Sequence, residues 1–474
     1  MGRGAKVGVN SGLVAGGKAV GAAISLAAIA VATRALSVEE FGSLVTLHAL
    51  VLFCSEALTF KTSLSVVRFG TEARLRGDAG ALAPILRYCA GLDLASSVLA
   101  FGIALLAGLG LREVLPSLGA LPLSLLLGYL GLVLLRQISA SLGTLRLLGR
   151  FGTLGAHALI QPIVRLAGGL VALEMGWGLP AFVVIYFAAS AVSHLALIGL
   201  ALVQLARAGL WQAVPRALSL REPCPGAWRF SLITNVETTM ATVVTDAPVV
   251  LAGLLLGGDG AAVFKAAQDA ASLLTGGVKV VDRTMFPELS KMAVEGGRAE
   301  LVALTRKVSL TLGLIGLGLA GAVLFLGPAP LIAIFDKPEY GQAAAPLAVL
   351  FLAAALSGAG TPFLPAFYAN GRAGAALIAR SAEAGGFLAL VWPLSALFGV
   401  IGTAGAILGG SAGFAALTFW LAVRQFGGQA ARSASRTGPD TSPTEADRSG
   451  GPGQPASALS APQNTGGVSN LGRA

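Results

Sequence analysis

Two short stretches decide how this chain is read: LRLLGRF, residues 145–151, and FYANGRA, residues 367–373. Each sets Gly-Arg between two long apolar segments. The pairs lie 222 residues apart (371 − 149 = 222) in a chain of 474. Further out the register is 220: Ser11 aligns with Ser231 (231 − 11 = 220), and without a gap Leu36 meets Leu256 and Glu39 meets Asp259. The chain therefore repeats itself, and the drift from 220 to 222 marks a small insertion in the second copy.

Composition says what is repeated. The chain is 55% hydrophobic and only 12% charged, with a mean hydropathy of +0.78. That leaves too little polar surface for a soluble protein of this size. Apolar runs long enough to cross a bilayer recur along most of the length, so the backbone groups must be satisfied within helices. A closed β-barrel would show alternating segments of roughly ten residues; the runs here are about twice as long and apolar all round. The 64 glycines suit helices packed in lipid, where small residues permit close backbone approach.

About twelve spans follow from the length criterion, near 11–33, 41–60, 82–110, 119–142, 152–174, 179–206, 231–256, 260–281, 303–326, 343–367, 374–392 and 399–423. Basic residues fall in alternate loops: Arg3 and Lys6, then Lys61, Arg68, Arg74 and Arg76, then Arg146 and Arg150, and so on to Arg424. The opposite loops, such as SVEEFG and FDKPEYG, are short and several carry acid. This is the positive-inside pattern, and it puts both termini in the cytoplasm. It also accounts for the net charge of +10 without a nucleic-acid partner. Cys54, Cys89 and Cys224 are an odd count without metal-ligand spacing, so neither a disulfide framework nor a metal site is expected. The basic lead and apolar run at the start resemble a signal peptide, but the spans that follow favour a retained first helix.

The expected organisation is a six-helix bundle over 1–220, a second over 221–424, and a tail over 425–474. The tail is rich in Ser, Gly, Pro and Thr and is expected to be a disordered cytoplasmic extension. An even number of spans per half gives both halves the same orientation, a parallel repeat, and transporters of that kind bind their substrates between the repeats near mid-depth.

Several stretches in order carry a family resemblance: ATRALSVEEFGSL at the first outer turn, LRLLGRFGTLGAHALIQPIVRLAGGLVAL across the fourth and fifth spans, and WRFSLITNVETT at the start of the second half. GLLLGGDGAAVFKAAQDA, TMFPELSKM and IFDKPEYGQAAAPLAVLFLAAAL continue it. Over about residues 7–424 the chain resembles the polysaccharide biosynthesis (oligosaccharide) flippases of the multidrug/oligosaccharidyl-lipid/polysaccharide exporter superfamily. The resemblance implies an all-α membrane protein of two six-helix bundles around a V-shaped central cavity. It implies carriage of a lipid-linked oligosaccharide or polysaccharide unit, usually on a polyprenyl pyrophosphate, from the inner to the outer leaflet of the bacterial cytoplasmic membrane. A glycan polymerase and glycosyltransferases would be partners, alongside membrane lipid. Two positions depart from the pattern: Ala262 stands where the second outer turn often ends in Gly, and Lys265 follows Phe264 where a small or polar residue is common.

An ionisable group deep in a span costs about 2.5–3.5 kcal/mol on insertion scales and should face a cavity or a partner. On that ground Lys18, Arg165, Glu237 and Lys265 are candidates for the substrate cavity. Lys18 and Glu237 occupy nearly matching places in the repeat (237 − 220 = 17), and a pair across the cleft is expected. Lys18 could instead snorkel to the headgroups. Arg165 lies too deep for that, and a guanidinium there suits phosphate. Asp246 and Asp269 fall near mid-depth, where a carboxylate could bind a proton or sodium and couple transport to a gradient. Lys265 and Asp269, one turn apart, also read as a self-neutralising pair. No cofactor or metal is required. Arg68, Arg74, Asp93 and Glu383 belong to the cytoplasmic mouth, with Asp93 and Glu56 expected to pair with Arg87 and Lys61 and Glu383 with Arg380. His48 and His157 read as packed hydrogen-bonders, and Pro162, Pro248 and Pro362 as kinks. The alternatives are a cation-coupled multidrug exporter of the same superfamily and, less well supported, a membrane glycan polymerase or ligase, which would need a larger outer loop than any present.

Overall fold

A computed structural model describes residues 3–78, 80–136, 138–214, 217–295, 298–364, 367 and 373–434. For 3–15, 237, 273–306, 308, 309, 362, 373 and 425–434 it describes the backbone alone. Every regular element among the described residues is helical. In chain order these are α1 (Arg3–Ala35), α2 (Val38–Ala57), α3 (Thr62–Leu75), α4 (Leu82–Val114), α5 (Pro116–Gly119), α6 (Leu123–Leu130), α7 (Leu132–Leu135), α8 (Ser139–Leu147), α9 (Phe151–His157), α10 (Ile160–Glu174), α11 (Leu179–Arg207), α12 (Ala227–Thr245), α13 (Ala247–Glu295), α14 (Arg298–Leu326), α15 (Ala329–Phe335), α16 (Ala344–Gly360) and α17 (Ala373–Ala434), with short 3₁₀ turns between some of them.

The turns are set by local chemistry. Between α1 and α2, Ser37 and Glu40 form a capping box: Glu40 N–H donates to Ser37 Oγ at 3.1 Å and Ser37 N–H to Glu40 Oε2 at 2.9 Å, which satisfies two of the helix's first donors. The LRLLGRF stretch ends α8 at Gly149, whose φ is +69°. Arg150 N–H reaches Leu145 O and Gly149 N–H reaches Arg146 O, the doubly bonded helix stop that needs a left-handed residue. The matching turn at Gly371–Arg372 lies outside the described residues.

Nine helices among the described residues, or ten with one bent pair, are long and apolar enough to cross a bilayer. The pair is α14 and α15, bent by 82° about Gly327. Two of the nine contain reversals. Gly257 has φ +75° inside α13, and across it Gln268 Nε2 donates to Thr245 O at 2.9 Å. Gly399 has φ +57° inside α17, and Ser395 Oγ and Thr403 Oγ1 meet across it at 2.8 Å. Each is therefore a helical hairpin. The threonine-rich α12 continues through Asp246 into the first part of α13, its ladder interrupted where Pro248 lacks an N–H. The described helices overlap the segments read from the sequence as spans. The turns keep the offset read from the sequence: Ser37 and Gly257 are 220 apart (257 − 37 = 220), and Gly176 and Gly399 are 223 apart (399 − 176 = 223). α17 runs to Ala434, since QAARSA still offers helix formers.

The core is continuous across the repeat. Buried residues of α2, α4, α6, α11, α13 and α16 belong to one cluster. α2 runs antiparallel to α12 and the first part of α13. Thr239 Oγ1 donates to Ala57 O at 2.7 Å, Gly253 lies against Thr46, and Gly42 lies against the Gly258 backbone. A Cβ on Gly42 would sit 1.7 Å from Gly258 O. Only glycine permits that approach.

Candidate substrate and coupling site

α2, α10, α12 and α13 carry polar groups at one depth. Arg165 is ten residues from Met175 at the short-turn end (175 − 165 = 10) and His48 ten from Val38 (48 − 38 = 10), which is about 15 Å at ~1.5 Å per residue and about half the hydrocarbon thickness. Asp246, Lys265 and Asp269 are 11, 8 and 12 residues from Gly257 (257 − 246, 265 − 257, 269 − 257), at similar depth.

On the first half's wall, Arg165 Nη2 lies 2.7 Å from His48 Nε2, and His48 Nδ1 lies 2.6 Å from the Tyr129 hydroxyl. The guanidinium stacks over Tyr186, 4.2 Å from the ring centroid, and Tyr186 meets the His48 ring edge-on at 5.6 Å. Arg165 Nε is buried with no hydrogen-bond partner. No carboxylate among the described residues lies within ion-pair distance of Arg165. A second cluster on the same wall joins Glu56 to both Lys61 and Arg136. On the facing wall Lys265 Nζ donates to Asp269 Oδ1 at 2.6 Å, while Asp269 Oδ2 is buried without a partner. Asp246 is half-buried at the junction of α12 and α13, with Thr245 Oγ1 at 3.5 Å.

The structure brings Arg165, Lys265, Asp269 and Asp246 to one layer. Lys18 is exposed on α1, and the Glu237 side chain lies outside the described residues, so their expected pair does too. At the opposite end Phe69 and Phe230 meet edge-on at 5.6 Å, and Arg68 lies over both, 5.3 and 4.4 Å from their centroids, while Arg74 donates to Leu147 O at 3.0 Å. Asp93 takes Thr62 Oγ1 at 2.6 Å and Ala140 N–H at 2.9 Å, which ties α3 and α8 to α4. Arg87, its expected partner, makes no such bond, and its Nε is buried without one. Glu383 accepts from Ser357 at 2.7 Å and Arg380 at 2.8 Å. Cys224, in the segment before α12, is partly buried, and this burial together with Glu72 and Glu222 pushes its thiol above the ordinary range.

Sequence reasoning missed Arg136, a single cation near the end of an apolar span, which was itself the available signal. It also missed the partners of His48, because Tyr129 and Tyr186 are 81 and 138 residues from it (129 − 48, 186 − 48) and no spacing rule links them. At the short-turn end, Arg34 Nε pairs with Asp336 Oδ2 at 3.6 Å, Lys337 Nζ donates to Leu36 O, and Tyr340 packs edge-on to Phe41 at 6.4 Å. Together with Gly42 and Gly258 these contacts join the halves there. A cavity of about 610 Å³ lies at the same end within the second half, lined among others by Leu256, Gln342 and Phe398, away from the mid-depth charges.

No family model matches the sequence. The inner membrane protein YghQ of Escherichia coli (strain K12) is 28% identical over 344 residues, which covers 70% of this chain and 93% of that protein. Among solved structures, an inward-facing multidrug resistance MATE family transporter of the MOP superfamily superposes with a TM-score of 0.63 at 13% identity, over 88% of this chain and 96% of that one. The lipid II flippase MurJ, in an inward closed conformation, gives 0.62 at 15% identity, over 88% and 89%. The chain thus has the fold of the MOP-superfamily transporters, and it is a multi-pass membrane protein.

Proposed function

We propose that the protein is an inner-membrane flippase that moves a lipid-linked oligosaccharide or polysaccharide unit from the cytoplasmic to the outer leaflet by alternating access, with both termini in the cytoplasm. The observation that carries this reading is Arg165. A full positive charge sits at mid-depth with only neutral hydrogen-bonding and stacking partners, and one guanidinium N–H is still open. Such a group wants an anion, and the planar fork of a guanidinium matches two oxygens of a phosphate. A polyprenyl pyrophosphate headgroup supplies them. The fold shared with a lipid II flippase supports the same reading.

In this scheme the two bundles, 1–220 and 221–424, rock against each other. The contacts at the short-turn end are the closed outer gate. Lys18, Glu237 and Lys265 join Arg165 on the cavity wall, and Asp246 and Asp269 hold the coupling cation. Arg68 and Arg74 attract headgroups at the cytoplasmic mouth, whose shape Asp93 and Glu383 fix through their hydrogen bonds. Glycosyltransferases and a polymerase would act before and after it.

A specific feature favours a second reading, a cation-coupled multidrug exporter: Asp246 is half-buried and Asp269 Oδ2 is buried without a partner, and two such carboxylates would suit an organic cation. The test uses the full chain in proteoliposomes with a fluorescent polyprenyl-pyrophosphate oligosaccharide and an impermeant quencher. Wild type should expose probe from both leaflets, Arg165→Gln at least tenfold more slowly, and Arg165→Lys in between. Vesicles that leave the probe unmoved but move a cationic dye would establish the exporter instead.

A further inference from the structure

His48 and Arg165 share one lone pair. A guanidinium has donors and no acceptor, so at 2.7 Å the Arg165 Nη2 must donate to His48 Nε2. That nitrogen is then unprotonated, and the ring's single hydrogen sits on Nδ1. Nδ1, 2.6 Å from the Tyr129 oxygen, donates to it. The partners fix both the tautomer and the neutral state of the ring.

We propose that His48 is a proton-binding site whose occupancy releases Arg165: a proton and the guanidinium compete for Nε2, so the proton is a driving ion of the conformational cycle. When a hydronium ion gives its proton to the Nε2 lone pair, one O–H bond breaks and one N–H bond forms, water leaves, the ring gains one positive charge, and no acceptor remains for Arg165. The guanidinium must then leave its seat. Loss of the proton restores the acceptor and recaptures it. The exchange does not depend on what is carried. An anionic headgroup would meet Arg165 in its released position, and a cationic cargo would be repelled by it.

The groups around the ring keep the competition sharp. Helix α6 contributes Tyr129, α10 contributes Arg165, and α11 contributes Tyr186 and His194. Arg136, beyond α7, faces the ring but is tied to Glu56 of α2. From α13 comes Lys265, tied to Asp269. No carboxylate among the described residues accepts a hydrogen bond from the ring, so nothing there holds proton and guanidinium together. By linkage the competition is reciprocal.

The chain has three histidines, His48, His157 and His194, so ¹⁵N-histidine NMR of the full-length protein in nanodiscs resolves each ring, with His48 assigned by the signal lost in His48→Gln. The wild-type ring should be neutral with its hydrogen on Nδ1. His48 should bind protons at least tenfold more tightly in Arg165→Gln, whose neutral amide can turn its oxygen to accept from Nε2–H, and should stay near wild type in Arg165→Lys, which is charged and only donates. A wild-type ring carrying its hydrogen on Nε2 overturns the proposal whether or not a variant folds. Equal proton affinity in wild type and folded Arg165→Gln overturns it as well.

Discussion

Replacing Gly42 with alanine tests the seal between the halves at its tightest point. The added Cβ would lie 1.7 Å from Gly258 O and 2.4 Å from its carbonyl carbon. An ordinary carbon–oxygen contact is about 3.3 Å, so the two backbones must part by about 1.6 Å. No rotamer change relieves this, since the obstructing atoms are backbone. Overpacking of that kind costs about 1–3 kcal/mol, and this penalty falls only on the state in which α2 touches Gly258. Alanine favours the helix itself by up to about 1 kcal/mol, equally whether the end is open or shut. The expected result is a 5- to 150-fold shift, on the order of the range for such couplings, toward a conformation open at the short-turn end. The readout is the distance between spin labels at Glu113 and Glu339, both exposed and one on each half, after Cys54, Cys89 and Cys224 are replaced. Wild type should give mainly short distances, and Gly42→Ala mainly long ones. Gly102→Ala on α4, where nothing lies within 4 Å, should match wild type. An unchanged distribution in folded Gly42→Ala would refute the reasoning, since the glycine contact would then not limit closure.

Lys337→Met removes the donor that caps Leu36 O from the other half, and the same label pair should report several-fold more of the long-distance population. Lys265→Met leaves Asp269 without its cation and should lower stability by about 3 kcal/mol, the low end for a broken buried pair because this one is about a fifth exposed; thermal unfolding in detergent should show most of the loss recovered in Lys265→Met with Asp269→Leu. Cys224 has a thiol held above its ordinary range, so its thiolate forms late as pH rises, and maleimide labelling should be slow at neutral pH and keep accelerating above the usual thiol midpoint.

The helical spans and their order were legible in the sequence because each rests on local signals: apolar length and Gly at turns. Ser37 and Glu40 announce a capping box three residues apart, and Gly149 announces its own helix stop. The places of Arg165 and Asp269 along their helices were legible for the same reason. Their partners were not. Arg165 meets His48 across 117 residues (165 − 48 = 117), and Asp93 meets Ala140 across 47 (140 − 93 = 47). Such pairs are set by which helix faces which, and apolar segments of similar hydropathy do not encode that choice in their periodicity. Arg87 was the nearest cation in sequence to Asp93, and the carboxylate took a hydroxyl and a backbone N–H instead, since these lie at the ends of helices it already packs against.

One element joins the seal to the charges. Gly42 and His48 lie six residues apart on α2 (48 − 42 = 6), about 9 Å along a rigid helix at ~1.5 Å per residue. Thr46, between them, rests on Gly253 of the other half, and Thr239 of that half bonds Ala57 at the far end of α2. A motion that lifts Gly42 from Gly258 therefore cannot leave His48 in place. It carries the imidazole, and with it the seat of Arg165, relative to Lys265 and Asp269. Conversely, a guanidinium displaced from His48 redistributes charge near Lys265, whose partner Asp269 has an unpartnered oxygen, and so alters the force between the packed helices. The closed end and the occupancy of Nε2 are then two properties of one helix, and whatever biases either must bias the other by the same free energy.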